Sequence, residues 1–201
     1  MPQIVLATSN PGKVRELNAL LAALAIEVLP QSAFQAPAVE ETAVTFVENA
    51  LLKARNAARY SGLPAIADDS GLLVDALGGA PGVFSARYAG PGASDQDNIT
   101  KLLAELQATP AARRTARFFC ALVYLRGPED PIPLICQGVW EGLITQTPRG
   151  TQGFGYDPVF LVPAEGKTAA ELPPALKNRL SHRGQALARL ADLLPQRLSH
   201  D

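Results

Sequence analysis

Asp68 and Asp69 stand side by side between two apolar runs, Leu63-Pro64-Ala65-Ile66-Ala67 and, after Ser70-Gly71, Leu72-Leu73-Val74. Neighbouring carboxylates repel each other unless a cation, a proton or water relieves them. The local pattern reads as a short buried strand that ends where the acids begin and passes into a turn. The pair is then either an Asx turn with both side chains in water, or a charged site at the carboxyl edge of a sheet.

Four other segments carry chemistry. Thr8-Ser9-Asn10-Pro11-Gly12-Lys13 has the order strand, tight loop, lysine and helix start. Backbone N–H groups at a helix N-terminus and an adjacent lysine suit phosphate oxygens. It is not a Walker A loop, because Val14 follows the lysine where that motif needs Ser or Thr; the plain alternative is a βα turn with an exposed lysine. Glu40-Glu41-Thr42 precedes a helix. Its acids either favour that helix N-terminus or approach Asp68-Asp69 to form an oxygen-only cluster, suited to Mg²⁺ with bound waters and substrate phosphates. On the same helix Glu48 is most simply a capping acid, and Lys53, one turn from Asn49, faces phosphate or solvent.

Phe154-Gly155-Tyr156-Asp157-Pro158 offers aromatic faces, a flexible glycine and a carboxylate. Such faces stack on nucleobases, although a core Phe at a strand entrance would look the same. Ser181-His182-Arg183-Gly184 marks a helix start shortly after Lys177. These side chains supply donors for carbonyl or phosphate oxygens, against the plain reading of a structural histidine. Together the segments ask for several phosphates, a divalent metal and a base to stack. That is a nucleotide.

The elements that must position these residues alternate along the chain. Residues 3–8 read as a strand, Val14, Leu17, Leu20, Leu21 and Leu24 recur at helical spacing, and Ile26 to Leu29 is a second strand. Thr45-Phe46-Val47-Glu48 opens a helix to about Tyr60 with the stripe Val47, Leu51, Ala54 and Ala58, and Gly62 ends it. Residues 78–94 are rich in glycine and proline and read as a long irregular loop, a lid candidate. Ser94 and Asp97 form another capping box before Ile99, Leu102, Leu103 and Leu106. Arg117 to Leu125 and Ile132 to Trp140 suggest an antiparallel hairpin. A strand from Pro158 to Val162, a short helical piece near Ala169 to Leu172 and a helix from Gln185 to Leu194 complete the chain. The order is a mixed α/β protein with antiparallel elements in its second half, read as one domain over residues 1–201.

Bulk properties narrow the function classes. The 201 residues are 47% hydrophobic with mean hydropathy near zero, which allows one core or two lobes sharing a sheet. A net charge of −1, from 18 basic and 19 acidic residues, gives no general field for nucleic acid. No apolar run is long enough for a membrane span, and the N-terminus has no basic region ahead of a signal-type run. Cys120 and Cys136 lie in strand-like apolar surroundings and read as reduced core residues; no structural zinc spacing is present. The expected location is the cytoplasm.

Several blocks occurring in order resemble the inosine/xanthosine triphosphate pyrophosphatases, the house-cleaning enzymes for non-standard purine nucleotides. They are Leu6 to Lys13, Glu40-Glu41-Thr42 with Thr45 to Ala50, Ala67 to Leu72, Gly78 to Gly82 with Ser85 to Tyr88, Gly153 to Pro158, and Ser181 to Gly184. They span nearly the whole chain. The resemblance implies an α/β fold with an elongated mixed central sheet flanked by helices, two lobes with the active site in the cleft between them, a homodimer and Mg²⁺ dependence. It implies hydrolysis of ITP, dITP and XTP to the monophosphate and pyrophosphate.

Carried over by motif, Thr8, Ser9, Asn10, Pro11, Gly12 and Lys13 would hold the triphosphate. Asp69 would be the general base and, with Glu41, a metal contact. Ser70 would touch substrate and Lys53 would neutralise phosphate charge. Phe154, Gly155, Tyr156, Asp157 and Lys177 would line the nucleoside pocket, while His182 and Arg183 would read the base. Ala43 stands where the family more often has glycine, so the Glu41 loop is expected to bend differently. Two competing functions are a pyrimidine or modified-nucleotide triphosphate pyrophosphatase of related fold, and a nucleotide sensor without turnover.

Overall fold

The computed structural model describes residues 2–8 and 11–198. The expected phosphate contacts Ser9 and Asn10 lie outside the described residues. Strands β1 (Gln3–Leu6), β2 (Glu27–Pro30), β3 (Ala65–Val74), β4 (Thr115–Leu125), β5 (Leu134–Ile144), β6 (Phe160–Val162) and β7 (Lys167–Thr168) form a seven-stranded sheet in the order β2-β1-β3-β4-β5-β6-β7. β1 runs parallel to β2 and β3, whereas β6 is antiparallel to β5 and β7, so the sheet is mixed. Helices α1 (Pro11–Leu21), α2 (Phe46–Ser61), α3 (Asp95–Glu105), α4 (Pro174–Leu180) and α5 (His182–Leu198) flank it.

The chain divides into two compact units. The first comprises residues 1–69, 120–137 and 185–201. Its β-strands alternate strictly: Ile4, Leu6 and Ile66 pack with α1 and α5, while Val5, Ala65 and Ala67 pack with the alanine face of α2. That is the period-two consequence of the pleat. α2 is capped as the sequence suggests, since Thr45 Oγ1 accepts the Glu48 N–H at 3.2 Å and Gly62 closes the helix at φ +69°. Its buried face is set by Phe46, Ala50, Ala54, Ala57 and Ala58, with Val47 and Leu51 at the margin. Small side chains bring this helix close to the sheet. Cys120 and Cys136 are buried core residues, as expected.

The second unit comprises residues 70–119 and 138–184. Leu72, Val74, Phe118, Trp140, Tyr156 and Phe160 are part of its core. The capping box at Ser94 forms, with Asp97 Oδ2 accepting the Ser94 N–H at 2.9 Å. Residues 78–94 are less irregular than their composition suggests. A 3-10 helix over Gly82–Arg87 is tied to β3 by Ser85, whose Oγ accepts the Leu72 N–H at 2.9 Å and donates to Gly82 O at 2.6 Å.

The main correction concerns Asp68-Asp69. No turn begins there: β3 runs unbroken from Ala65 to Val74, straight through both acids. Composition misleads at this point, because Asp, Ser and Gly are turn residues in isolation, yet pairing and flanking apolar residues carry the strand on. α4 and β7 also escaped the sequence reading, and a 3-10 turn over Asp157–Val159 precedes β6.

Candidate active site

Because β3 is continuous, consecutive side chains point to opposite faces of the sheet. Asp68 falls on the face of Ile66 and α1; Asp69 falls on the face of Ala67 and α2. The lysines that bond to them differ. Lys13, in the first turn of α1, donates to both Asp68 oxygens at 2.9 and 3.1 Å. Lys53 of α2 donates to Asp69 Oδ1 at 3.1 Å and to Glu41 Oε1 at 2.8 Å. The sequence alternative of an Asx turn in water is overturned, since both aspartates are 8% exposed.

The four-acid cluster that Glu40-Glu41 and Asp68-Asp69 could have formed does not assemble. Among the described residues no group of three or more acidic, histidine or cysteine side chains comes together at metal-binding spacing. What forms is a pair of acids, Glu41 and Asp69, on one ammonium. Asp69 Oδ2 is buried and makes no hydrogen bond among the described residues. Burial raises the Asp69 pKa above the ordinary carboxyl value; Lys53 opposes that, and Glu41 adds to it. Burial alone would lower the Lys53 pKa, but Asp69 and Glu41 more than offset it, so the ammonium is held charged. Ala43 does not displace this arrangement. Its N–H donates to Asn49 Oδ1 at 3.0 Å, and Glu41 still reaches Lys53.

α1 opens at Pro11, a position where the missing N–H costs nothing. Its first turn carries no acid but does carry Lys13. A cation there opposes the helix dipole unless an anion compensates. Asp68 does so here. Thr8 lies after β1, with its N–H donating to Leu6 O at 2.7 Å.

In the second unit Phe154 is 72% exposed, which overturns the core alternative for that ring. Lys177 Nζ lies 5.2 Å from its ring centroid and is also ion-paired with Asp157. Asp157 Oδ2 in turn accepts the Phe154 N–H at 2.8 Å. This tight knot leaves no room at Gly153, where a Cβ would lie 2.1 Å from Asp157 Oδ2. The Gly155 N–H donates to Asp95 Oδ2 at 2.6 Å, which fastens the loop to the start of α3. Tyr156 is a core residue whose hydroxyl donates to Ser85 O at 2.8 Å; burial pushes its pKa up.

His182 begins α5 and stacks on Phe118, centroids 4.8 Å apart and planes 13° off parallel. Arg183 follows it, half-buried. The Gly184 N–H donates to Ser181 Oγ at 3.1 Å, and a Cβ at Gly184 would lie 1.7 Å from Asn178 O. Only glycine lets α4 and α5 meet so closely. In the second unit Ser70 Oγ is buried and makes no hydrogen bond among the described residues, so an acceptor or donor is wanted there. Asn49, Ser85 and Asp95 escaped the sequence reading as contributors, because each acts through a backbone N–H or C=O that sequence does not reveal.

The Ham1 family model matches residues 4–193. The chain belongs to the Ham1 family. A dITP/XTP pyrophosphatase of Methylococcus capsulatus is 63% identical over 192 residues, 96% of either chain. Among solved structures, a HAM1 protein from Coxiella burnetii superposes with a TM-score of 0.94 at 53% identity, covering 98% of this chain and 100% of its own. A nucleoside-triphosphatase/dITP/XTP pyrophosphatase from Mycobacterium abscessus gives a TM-score of 0.80 at 42% identity, covering 94% and 98%. This Ham1 chain thus matches these relatives over essentially their full length. No helix among the described residues is long and apolar enough to cross a membrane.

Proposed function

We propose that the chain hydrolyses ITP, dITP and XTP to the monophosphate and pyrophosphate. It is a pyrophosphatase of non-canonical purine nucleotides, as membership of the Ham1 family and 63% identity to a dITP/XTP pyrophosphatase support. The structural observation that carries the reading is the Asp69–Lys53–Glu41 cluster, with one buried Asp69 oxygen left over.

Charge supports a metal. Lys13 and Lys53 face three carboxylates, Asp68, Asp69 and Glu41, a net −1 that would repel a polyanionic triphosphate. Mg²⁺ takes one or two carboxylates and completes its shell with waters and substrate phosphates. Glu41 and the spare oxygen of Asp69 fit that donor set. Bound there, Mg²⁺ would withdraw charge from the phosphate oxygens around the bond that breaks.

The remaining roles fall to this chain's own groups. Asp69, raised above an ordinary carboxyl, takes the proton of the water that attacks the α-phosphorus. Lys53, kept cationic by its two acids, stabilises charge that develops in the transition state. Lys13 and the N–H groups of Gly12 and Lys13 at the start of α1 hold phosphate oxygens, along with Thr8, Ser9, Asn10 and Pro11. Phe154 stacks on the base, Lys177 and Asp157 hold the ring in place, and Ser70 bonds the substrate. His182 and Arg183 donate to the purine 6-oxo group; a 6-amino group would leave such a donor unpaired, at about 1–3 kcal/mol.

The proposal includes a single catalytic domain, a homodimer as the active assembly and a cytoplasmic setting, where the nucleotide pool lies. Light scattering in solution tests the dimer. Assay of pyrophosphate and orthophosphate from eight nucleotides with Mg²⁺ tests the function. Pyrophosphate from dITP and XTP, well ahead of ATP, UTP and dTTP, is the expected result. Preference for UTP or dTTP would replace it with a pyrimidine pyrophosphatase, and tight ITP binding without product would replace it with a sensor.

A further inference from the structure

Asn49 is 0% exposed, on a helical face otherwise built from Phe46, Ala50, Ala54, Ala57 and Ala58. A primary amide buried in such a face costs free energy unless its polar atoms are used. An apolar side chain of the same size would pack there with no group to satisfy. Its Oδ1 accepts the Ala43 N–H at 3.0 Å, and that donor decides which end of the amide is which. Nδ2 is left on the other side. It makes no hydrogen bond among the described residues, and neither does the buried Oδ2 of Asp69.

Asn49 and Lys53 are one turn apart on α2, so they share a face. Lys53 holds Asp69 and Glu41 directly. Asn49 holds the segment two residues beyond Glu41. Helix α2 therefore holds both acids through Lys53, and the Glu41 segment a second time through Asn49.

We infer that Asn49 is a positioning residue for the Glu41–Asp69 pair, pinning the Glu41 segment through Ala43 so that Glu41 can join Asp69 on one divalent cation. The inference rests on the Mg²⁺ reading given under Proposed function. It also accounts for Ala43: the segment is held by a side-chain acceptor, and its backbone φ is not in the left-handed region that would demand glycine.

Two variants remove the tie from opposite ends. Asn49→Leu keeps the size and removes both polar groups. Ala43→Pro removes the N–H donor and leaves Asn49 in place. Mg²⁺ binding to the folded protein is measured by calorimetry without nucleotide, next to melting temperature and exchange of the residue-43 amide in the wild type and Asn49→Leu. The expected result is a Mg²⁺ dissociation constant raised about tenfold in Asn49→Leu, the scale of losing a group that orients a metal ligand. Ala43→Pro weakens binding in the same direction but less. A merely structural role would lower the melting temperature and leave the Mg²⁺ constant of the folded protein unchanged. Wild-type Mg²⁺ affinity in folded Asn49→Leu, or in Ala43→Pro if the first variant fails to fold, overturns the inference. A wild-type protein that neither binds Mg²⁺ nor releases pyrophosphate overturns the metal reading itself, a result distinct from unaltered variants beside an active, metal-binding wild type.

Discussion

The two units hold their candidate site residues in different ways. In the first, Lys13, Lys53, Asp68 and Asp69 stand on regular helices and mid-strand, paired as ions. In the second, Phe154, Gly155 and Asp157 stand on a glycine-containing loop and a 3-10 turn, with an aromatic ring left largely in water. Groups that must hold reacting atoms in place gain from rigid elements. A surface that must admit and release a base gains from a loop with an exposed ring. The contrast fits the proposed division of chemistry to the first unit and selection to the second, and kinetics can separate the two.

Asp69→Asn should break the comparison most severely. It removes the proposed general base and metal contact, and kcat for dITP should fall by about 10³-fold or more, while the melting temperature stays near wild type. Pyrophosphate release measures it; full activity would remove the chemistry from this unit. Lys53→Met follows. It strips the ammonium from two carboxylates, and kcat should fall by about 10²-fold with a melting temperature about 2–4 °C lower.

Phe154→Ala should act on the other axis. Loss of the proposed stacking, worth about 1–3 kcal/mol, should raise KM for dITP about tenfold or more, with kcat little changed. Because the ring is exposed, calorimetric melting should not move. A fall in kcat alone would blur the division.

The smallest effect on activity belongs to Asp130, remote from these roles. Burial would raise its pKa, but the N–H groups of Arg126 and Ile132, then the Arg126 and Arg197 cations, hold it below the ordinary carboxyl value. A carboxyl depressed on folding contributes stability above its unfolded pKa, about 3.9, and loses it as pH falls through the lower folded value. In Asp130→Asn the melting temperature should therefore drop less between about pH 5 and pH 2 than in the wild type, while activity near neutrality is retained. An unchanged acid dependence in thermal melts would contradict this.

The sequence was most legible where periodicity and capping act locally. Thr45, Gly62 and the Ser94 box end their helices as their types require. It was least legible at Asp68-Asp69, where sheet pairing overrides turn composition. The difference matters, because a turn leaves the orientations of two adjacent acids open, whereas a strand sends them to opposite faces and to different lysines. Tyr156 and Phe154 could not be told apart by type; only packing puts one in the core and the other in solvent. Asp95 acts through a backbone N–H distant in sequence, a kind of partnership with no local signature, and Asn49 through one six residues before it that side-chain type does not mark.

The division between chemistry and selection is tested most directly by Arg183→Ala, assayed for kcat and KM with dITP and with dATP. Loss of the proposed donor to the 6-oxo group should cut the preference for dITP over dATP by about tenfold or more, with kcat for dITP within a few-fold of wild type. An undiminished preference, or a collapse of kcat with the preference intact, would contradict the account.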